Sequence, residues 1–88
     1  MRYSKEDTLR LIFEAYTLDI LRSLTDKPKR FNELRKDVKT KRTLATKLNK
    51  LIDYGLIELV PLKTNNRYAN YYKISVKGKG LLKGLERL

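Results

Sequence analysis

The stretch from Thr40 to Gly55 constrains the fold of this chain more than any other. Thr40 is a good N-cap, and Gly55 has the left-handed freedom required just past a helix end. At 100° per residue, Leu44, Ala45, Leu48, Leu51 and Ile52 share one half of a helix from Lys41 to Tyr54. Arg42, Thr43, Thr46, Lys47 and Lys50 share the opposite half, with Asn49 on the border. The apolar half demands a second layer of structure to cover it. The polar half is unusual in carrying only cations and hydroxyls. A surface helix normally mixes signs to gain i,i+4 pairs, whereas here Asp53, the only acid, lies in the last turn outside that sector.

The flanking sequence supplies the other layers. Residues 1–26 read as a long first helix. Ser4 and Asp7 have capping-box spacing, so the helix opens at Lys5, and Leu9, Ile12, Phe13, Tyr16, Ile20 and Leu24 follow at helical intervals. A second apolar set, Leu11, Ala15 and Leu18, lies nearly opposite. Two explanations stay open: a partner copy covers the second face, or a kink near Ala15–Thr17 folds both faces inward. Asp26-Lys27-Pro28-Lys29 is a turn, and Arg30-Phe31 suits a very short strand. Asn32 caps a helix of less than two turns with Leu34 and Val38 inward, so residues 32–54 have the spacing of a helix-turn-helix.

Residues 56–75 form a hairpin. Leu56 to Leu62 is β-prone, with Pro61 confining it to an edge or bulge, and Lys63-Thr64-Asn65-Asn66-Arg67 is a polar loop before a Tyr-rich return strand. Tyr72 and Ile74 on one strand face complete the core. Ser75 caps a last helix, 76–88, whose Leu81, Leu82, Leu85 and Leu88 make one stripe. With Gly78, Gly80 and Gly84 in it, that helix is too weak to stand alone and has to pack on the first helix or its copy. The expected architecture is α+β, mainly α. It is a single winged helix-turn-helix domain over 1–88, with a three-helix core, a β-hairpin wing and a C-terminal helix.

Charge then narrows the function. The net formal charge of the 88 residues is +11. Residues 27–50 hold ten basic side chains against Glu33 and Asp37, and residues 63–88 hold seven against Glu86, while 1–26 and 51–62 are slightly acidic. The absence of Cys and His removes disulfides, thiolate and imidazole chemistry and nearly every zinc site. No paired carboxylates or glycine-rich phosphate loop point to an enzyme, and no cofactor or metal is expected. No apolar run approaches the ~20 residues that span a bilayer, and the first residues are not a signal peptide, so a cytoplasmic, nucleoid-associated protein is expected. Its partner is then double-stranded DNA.

On that reading Arg42 and Thr46 are the base readers, because a major groove admits a helix whose side chains hydrogen-bond to base edges. Thr43, Lys47 and Lys50 lie in the groove or on its rim. Lys39, Lys41, Lys29 and Arg30 serve phosphates, and Thr40 opens a helix N-terminus suited to one. Lys63, Asn65, Asn66 and Arg67 put the wing in a minor groove or on the backbone. Tyr68, Tyr71 and Tyr72 are better explained as strand residues than as stacking platforms.

From Ala15 to Leu88 the chain resembles the HxlR group of winged-helix regulators, within the wider MarR/ArsR-like class. The resemblance is carried by Ala15-Tyr16-Thr17-Leu18-Asp19-Ile20-Leu21-Arg22-Ser23-Leu24 and Arg30-Phe31-Asn32-Glu33-Leu34-Arg35. It continues through Leu44, Leu48 and Leu51 into Asp53-Tyr54-Gly55-Leu56-Ile57, then Tyr72-Lys73-Ile74-Ser75-Val76-Lys77-Gly78. Small winged-helix proteins of archaea, their plasmids and viruses are similar too. The resemblance implies a DNA-binding homodimer paired through its first and last helices, by way of Leu9, Leu11, Ile12, Leu18, Leu81, Leu82, Leu85 and Leu88. The turn between Val38 and Leu44 is about two residues shorter than the family pattern and lacks its glycine. With no cysteine before the first helix, thiol-based sensing does not apply. A sequence-specific regulator is therefore the leading expectation. An architectural protein that coats duplex DNA is the alternative, and a protein-interaction module fits less well.

Overall fold

The computed structural model describes residues 3–36 and 38–87. Helix α1 (Lys5–Phe13) opens where its cap requires: the Ser4 hydroxyl accepts from the Asp7 N–H at 3.1 Å, and the Asp7 carboxylate accepts from the Ser4 N–H at 3.3 Å. The long first helix expected from periodicity is, however, broken. It ends at Phe13 and restarts as α2 (Thr17–Ser23), with Tyr16 left-handed at φ 72°. The kink buries Ile12, Ile20 and Leu24 of the first apolar set and Leu11 of the second, together with Leu21, while Leu9, Phe13 and Tyr16 stay exposed. Of the second set only Leu11 is fully covered, since Leu18 is half-buried and Ala15 exposed.

Helix α3 (Phe31–Leu34) is a single turn and begins one residue before the expected cap at Asn32. Its start is fixed instead by Glu33, whose Oε1 accepts from the Arg30 N–H at 3.0 Å. Helix α4 (Lys41–Asp53) follows. Thr40 Oγ1 accepts from the Thr43 N–H at 3.3 Å. At the other end Gly55, at φ 76°, donates to the Ile52 carbonyl at 2.9 Å, and Leu56 donates to that of Leu51 at 3.0 Å. That paired closure needs the positive φ.

Strands β1 (Ile57–Thr64) and β2 (Arg67–Ile74) pair antiparallel from Ile57↔Ile74 to Thr64↔Arg67. The polar loop shrinks to a two-residue turn, Asn65 at φ 50° and Asn66 at φ 64°, the geometry that matches strand twist. The short third strand is one residue long and sits at Lys29, which exchanges backbone hydrogen bonds with Tyr72 at 2.9 and 2.7 Å. That leaves β1 on an edge, where Pro61 is tolerated. Helix α5 (Val76–Glu86) is capped by Ser75, whose hydroxyl accepts from the Gly78 N–H at 3.0 Å and donates to the Gly55 carbonyl at 2.6 Å.

The core joins these pieces around Leu44, Leu48 and Leu51 of α4, with Leu34, Val38, Leu56, Ile57, Ile74 and Leu82 against them. Tyr72 packs on its edge. The resulting order is α1, α2, one-turn α3, α4, hairpin and α5, a winged helix with extents of 42 × 26 × 26 Å.

Candidate nucleic-acid interface

Helix α4 is held at both ends and along its buried side, so its outer face is fixed relative to the body. Lys77 of α5 donates to the Tyr54 carbonyl at 2.9 Å, placing a cation at the helix C-terminus where the dipole favours it. Tyr3 stacks on Tyr54 with ring centroids 3.8 Å apart. On the outer face Lys41, Arg42, Thr43 and Thr46 are exposed, as are Lys39 and Thr40 just before the helix. The Thr40 hydroxyl donates to Thr43 Oγ1 at 2.7 Å, so both hydroxyls are already engaged in the cap.

The cation-only face is not left bare. Glu14, in the break between α1 and α2, reaches across to α4. Lys47 Nζ donates to Glu14 Oε1 at 2.6 Å, and Lys50 Nζ donates to Oε2 at 3.1 Å and Oε1 at 3.4 Å. The Lys47 side chain is only 10% exposed, against 42% for Lys50 and 40% for Glu14. Hydrogen bonds from Lys47 and then Lys50 hold the Glu14 carboxyl below the usual carboxylate range. A concavity of about 290 Å³ runs between Glu14 and Arg42, Thr43, Thr46, Lys47 and Lys50. The two lysines expected in the groove or on its rim are therefore paired, while Arg42 and Thr46 stand free of Glu14. Nothing in the local sequence marks Glu14, because it is aimed by the kink and its partners lie 33 and 36 residues away.

At the wing, Lys63, Asn65, Asn66 and Arg67 are exposed. A second concavity of about 520 Å³ brings Arg30 of the body together with Thr64, Asn65, Arg67 and Tyr68. The sequence placed Arg30 and the wing tip in separate groups; the fold makes them neighbours. Lys63 Nζ lies 5.9 Å from the centre of the Tyr68 ring, and Tyr68 is 73% exposed. Lys29 is partly withdrawn: it pairs with Asp26 at 3.7 Å while its backbone bridges to Tyr72.

The expected dimer residues divide. Leu11, Ile12 and Leu82 are buried at 1%, 1% and 3% exposure, so the chain's own interior takes them and they have no area left for a second copy. Leu18, Leu81 and Leu85 are half-buried and Leu9 is exposed, with Phe13 beside it at 71%. Leu88 lies outside the described residues.

The family model of the HxlR-like helix-turn-helix matches residues 11–88. The chain belongs to that family. HxlR-like proteins are helix-turn-helix regulators of transcription, not enzymes, and the match takes in α4, the wing and α5. No curated protein sequence matches the chain significantly. Among solved structures it is similar to the reduced form of the transcriptional regulator YodB from B. subtilis. The TM-score is 0.82 at 24% identity, over 99% of this chain and 87% of that one. The HTH-type regulator ytcD aligns with a TM-score of 0.73 at 27% identity, over 97% and 92%. A possible HxlR family factor from Thermoplasma volcanium GSS1 aligns at 0.73 and 23%, over 94% and 76%. Among the described residues of this HxlR-like chain, no helix is long and apolar enough to cross a membrane.

Proposed function

We propose that this HxlR-like protein is a homodimeric regulator that binds double-stranded DNA sequence-specifically, acting in the cytoplasm on the nucleoid. Helix α4 enters the major groove and the wing grips the adjacent minor groove or backbone. The observation that carries the reading is the exposed row Arg42, Thr43 and Thr46 on a helix rigidly capped at both ends, with no acid of its own on that face. Arg42 and Thr46 read base edges. Lys39, Lys41 and the N–H groups behind Thr40 take phosphates, and Lys47 and Lys50 join them at the rim. Arg30 and Arg67 close on the backbone from the wing side, with Lys29, Lys63, Asn65 and Asn66 alongside.

Pairing runs through α1 and α5, where Leu9, Phe13, Leu81 and Leu85 retain exposed apolar area. A groove of about 260 Å³ between Leu9 and Leu81, floored by Thr8 and edged by Tyr3 and Lys77, lies on the same side. Two copies so joined would set their α4 helices ~34 Å apart, one turn of duplex.

Selection of tight-binding duplexes from a random pool tests the reading. A regulator returns a two-part site preferred over random sequence by ~10³-fold or more. Arg42→Ala then relaxes one base position at a cost of about 1–3 kcal/mol, whereas Lys41→Ala weakens every duplex alike and lowers the salt slope by about 1. A pool that returns no preference establishes the architectural alternative instead.

A further inference from the structure

We propose that Glu14 is a built-in competitor for DNA phosphate, so that α4 offers Lys47 and Lys50 to a duplex only when this carboxylate leaves them. The inference rests on the DNA-binding reading and concerns the regulation of that same surface. Chemically, the Glu14 carboxylate presents what a phosphodiester presents, two oxygens sharing one negative charge, and both lysines already donate to it. Its position makes it a removable guest. Glu14 belongs to the α1–α2 elbow rather than to α4, so its bonds can break without unwinding the helix.

The elbow also carries two unrelieved costs in its present arrangement. Tyr16 is held left-handed at φ 72°, a conformation that a side chain with a Cβ disfavours. The adjacent Thr17 hydroxyl is buried with no hydrogen-bond partner. Neither feature is improved by the present geometry, so the elbow gives up little when Glu14 swings away. Lys47 has most to gain, because with Glu14 in place its side chain is nine-tenths covered.

The test measures binding of a random-sequence 20-base-pair duplex by fluorescence anisotropy for the wild type, Glu14→Gln and Asp19→Asn. The last removes the same charge from an exposed position on α2 and controls for net charge alone. Glu14→Gln is expected to bind about tenfold tighter, the sum of one pair to the covered Lys47 and one to the half-exposed Lys50 no longer in competition. Asp19→Asn is expected to stay within about twofold of the wild type. In a Lys47→Gln, Lys50→Gln background the Glu14→Gln gain should vanish. Hydrogen exchange on the wild-type protein gives a readout that needs no variant: amides of residues 14–17 should exchange faster with duplex bound. Equal or weaker binding by Glu14→Gln overturns the proposal, and so does slower exchange in the elbow, since either would make Glu14 a support for the lysines. If the wild type binds no duplex at low salt, it is the DNA reading that fails.

Discussion

Three glycines in α5 look alike in sequence, yet the structure gives them opposite consequences. A Cβ on Gly78 would lie 2.2 Å from the Leu56 carbonyl oxygen and 2.9 Å from Ile74 Cγ1. The carbonyl is backbone and accepts from the Ser75 N–H at 3.0 Å, so it cannot turn aside. Relief requires α5 to back away by about 1 Å, which strains the core by about 1–3 kcal/mol. The same movement stretches the Ser75 bonds to Gly55 and Gly78, each worth about 1 kcal/mol. Against this, alanine in place of glycine in a helix returns about 1 kcal/mol. Gly78→Ala should therefore destabilise by about 2–4 kcal/mol net. Gly80 and Gly84 have nothing within 4 Å of a Cβ, so Gly80→Ala and Gly84→Ala should each stabilise by up to about 1 kcal/mol. In thermal unfolding a domain of this size shifts by roughly 4–8 °C per kcal/mol. The melting temperatures should fall on either side of the wild type. A Gly78→Ala variant as stable as Gly80→Ala would refute the close approach of α5 to the end of α4 and the base of the wing.

Two further outcomes follow from the site and the wing. Because hydrogen bonds from Lys47 and Lys50 lower the folded-state pKa of Glu14, its contribution is complete above the unfolded carboxylate range near 4.3 and is lost as the pH falls through the folded value. Urea titrations from pH 6 to 3 should show the wild type losing no more than about 1 kcal/mol relative to Glu14→Gln, a small figure because the carboxylate is 40% exposed, and less still in 1 M salt. An advantage that grows as the pH falls would contradict the pairing. At the wing tip Asn66 holds φ 64°, which β-branching opposes by about 1–2 kcal/mol, so Asn66→Val should speed amide exchange around the turn roughly tenfold while Asn66→Gly leaves it protected. Equal protection in both variants would rule out the two-residue turn.

Much of the fold is legible in particular residues. Ser4 and Asp7 mark the start of α1, Thr40 and Gly55 bracket α4, and Asn65-Asn66 turns the hairpin, each through bonds between near neighbours in the chain. The core face of α4 follows from leucine spacing for the same reason. Misreadings arise where the deciding partner is distant. Residues 5–24 have helical periodicity throughout, and the left-handed Tyr16 that splits them goes with the packing of Leu11, Ile20, Leu21 and Leu24 into one core. That packing also removed Leu11, Ile12 and Leu82 from the face available to a second copy.

The sequence by itself determined the order of the elements from α4 onward, the leucine side that α4 buries and the single sign of its outer face. These depend on local periodicity, on capping and on charge, which add up residue by residue. Tertiary structure alone decided which of those cations stand free. A carboxylate some thirty residues away in the chain was brought against Lys47 and Lys50, Arg30 was set beside Arg67, and Gly78 was pressed onto a carbonyl. Such encounters depend on how the helices and hairpin close around one small core, and no spacing along the chain records them.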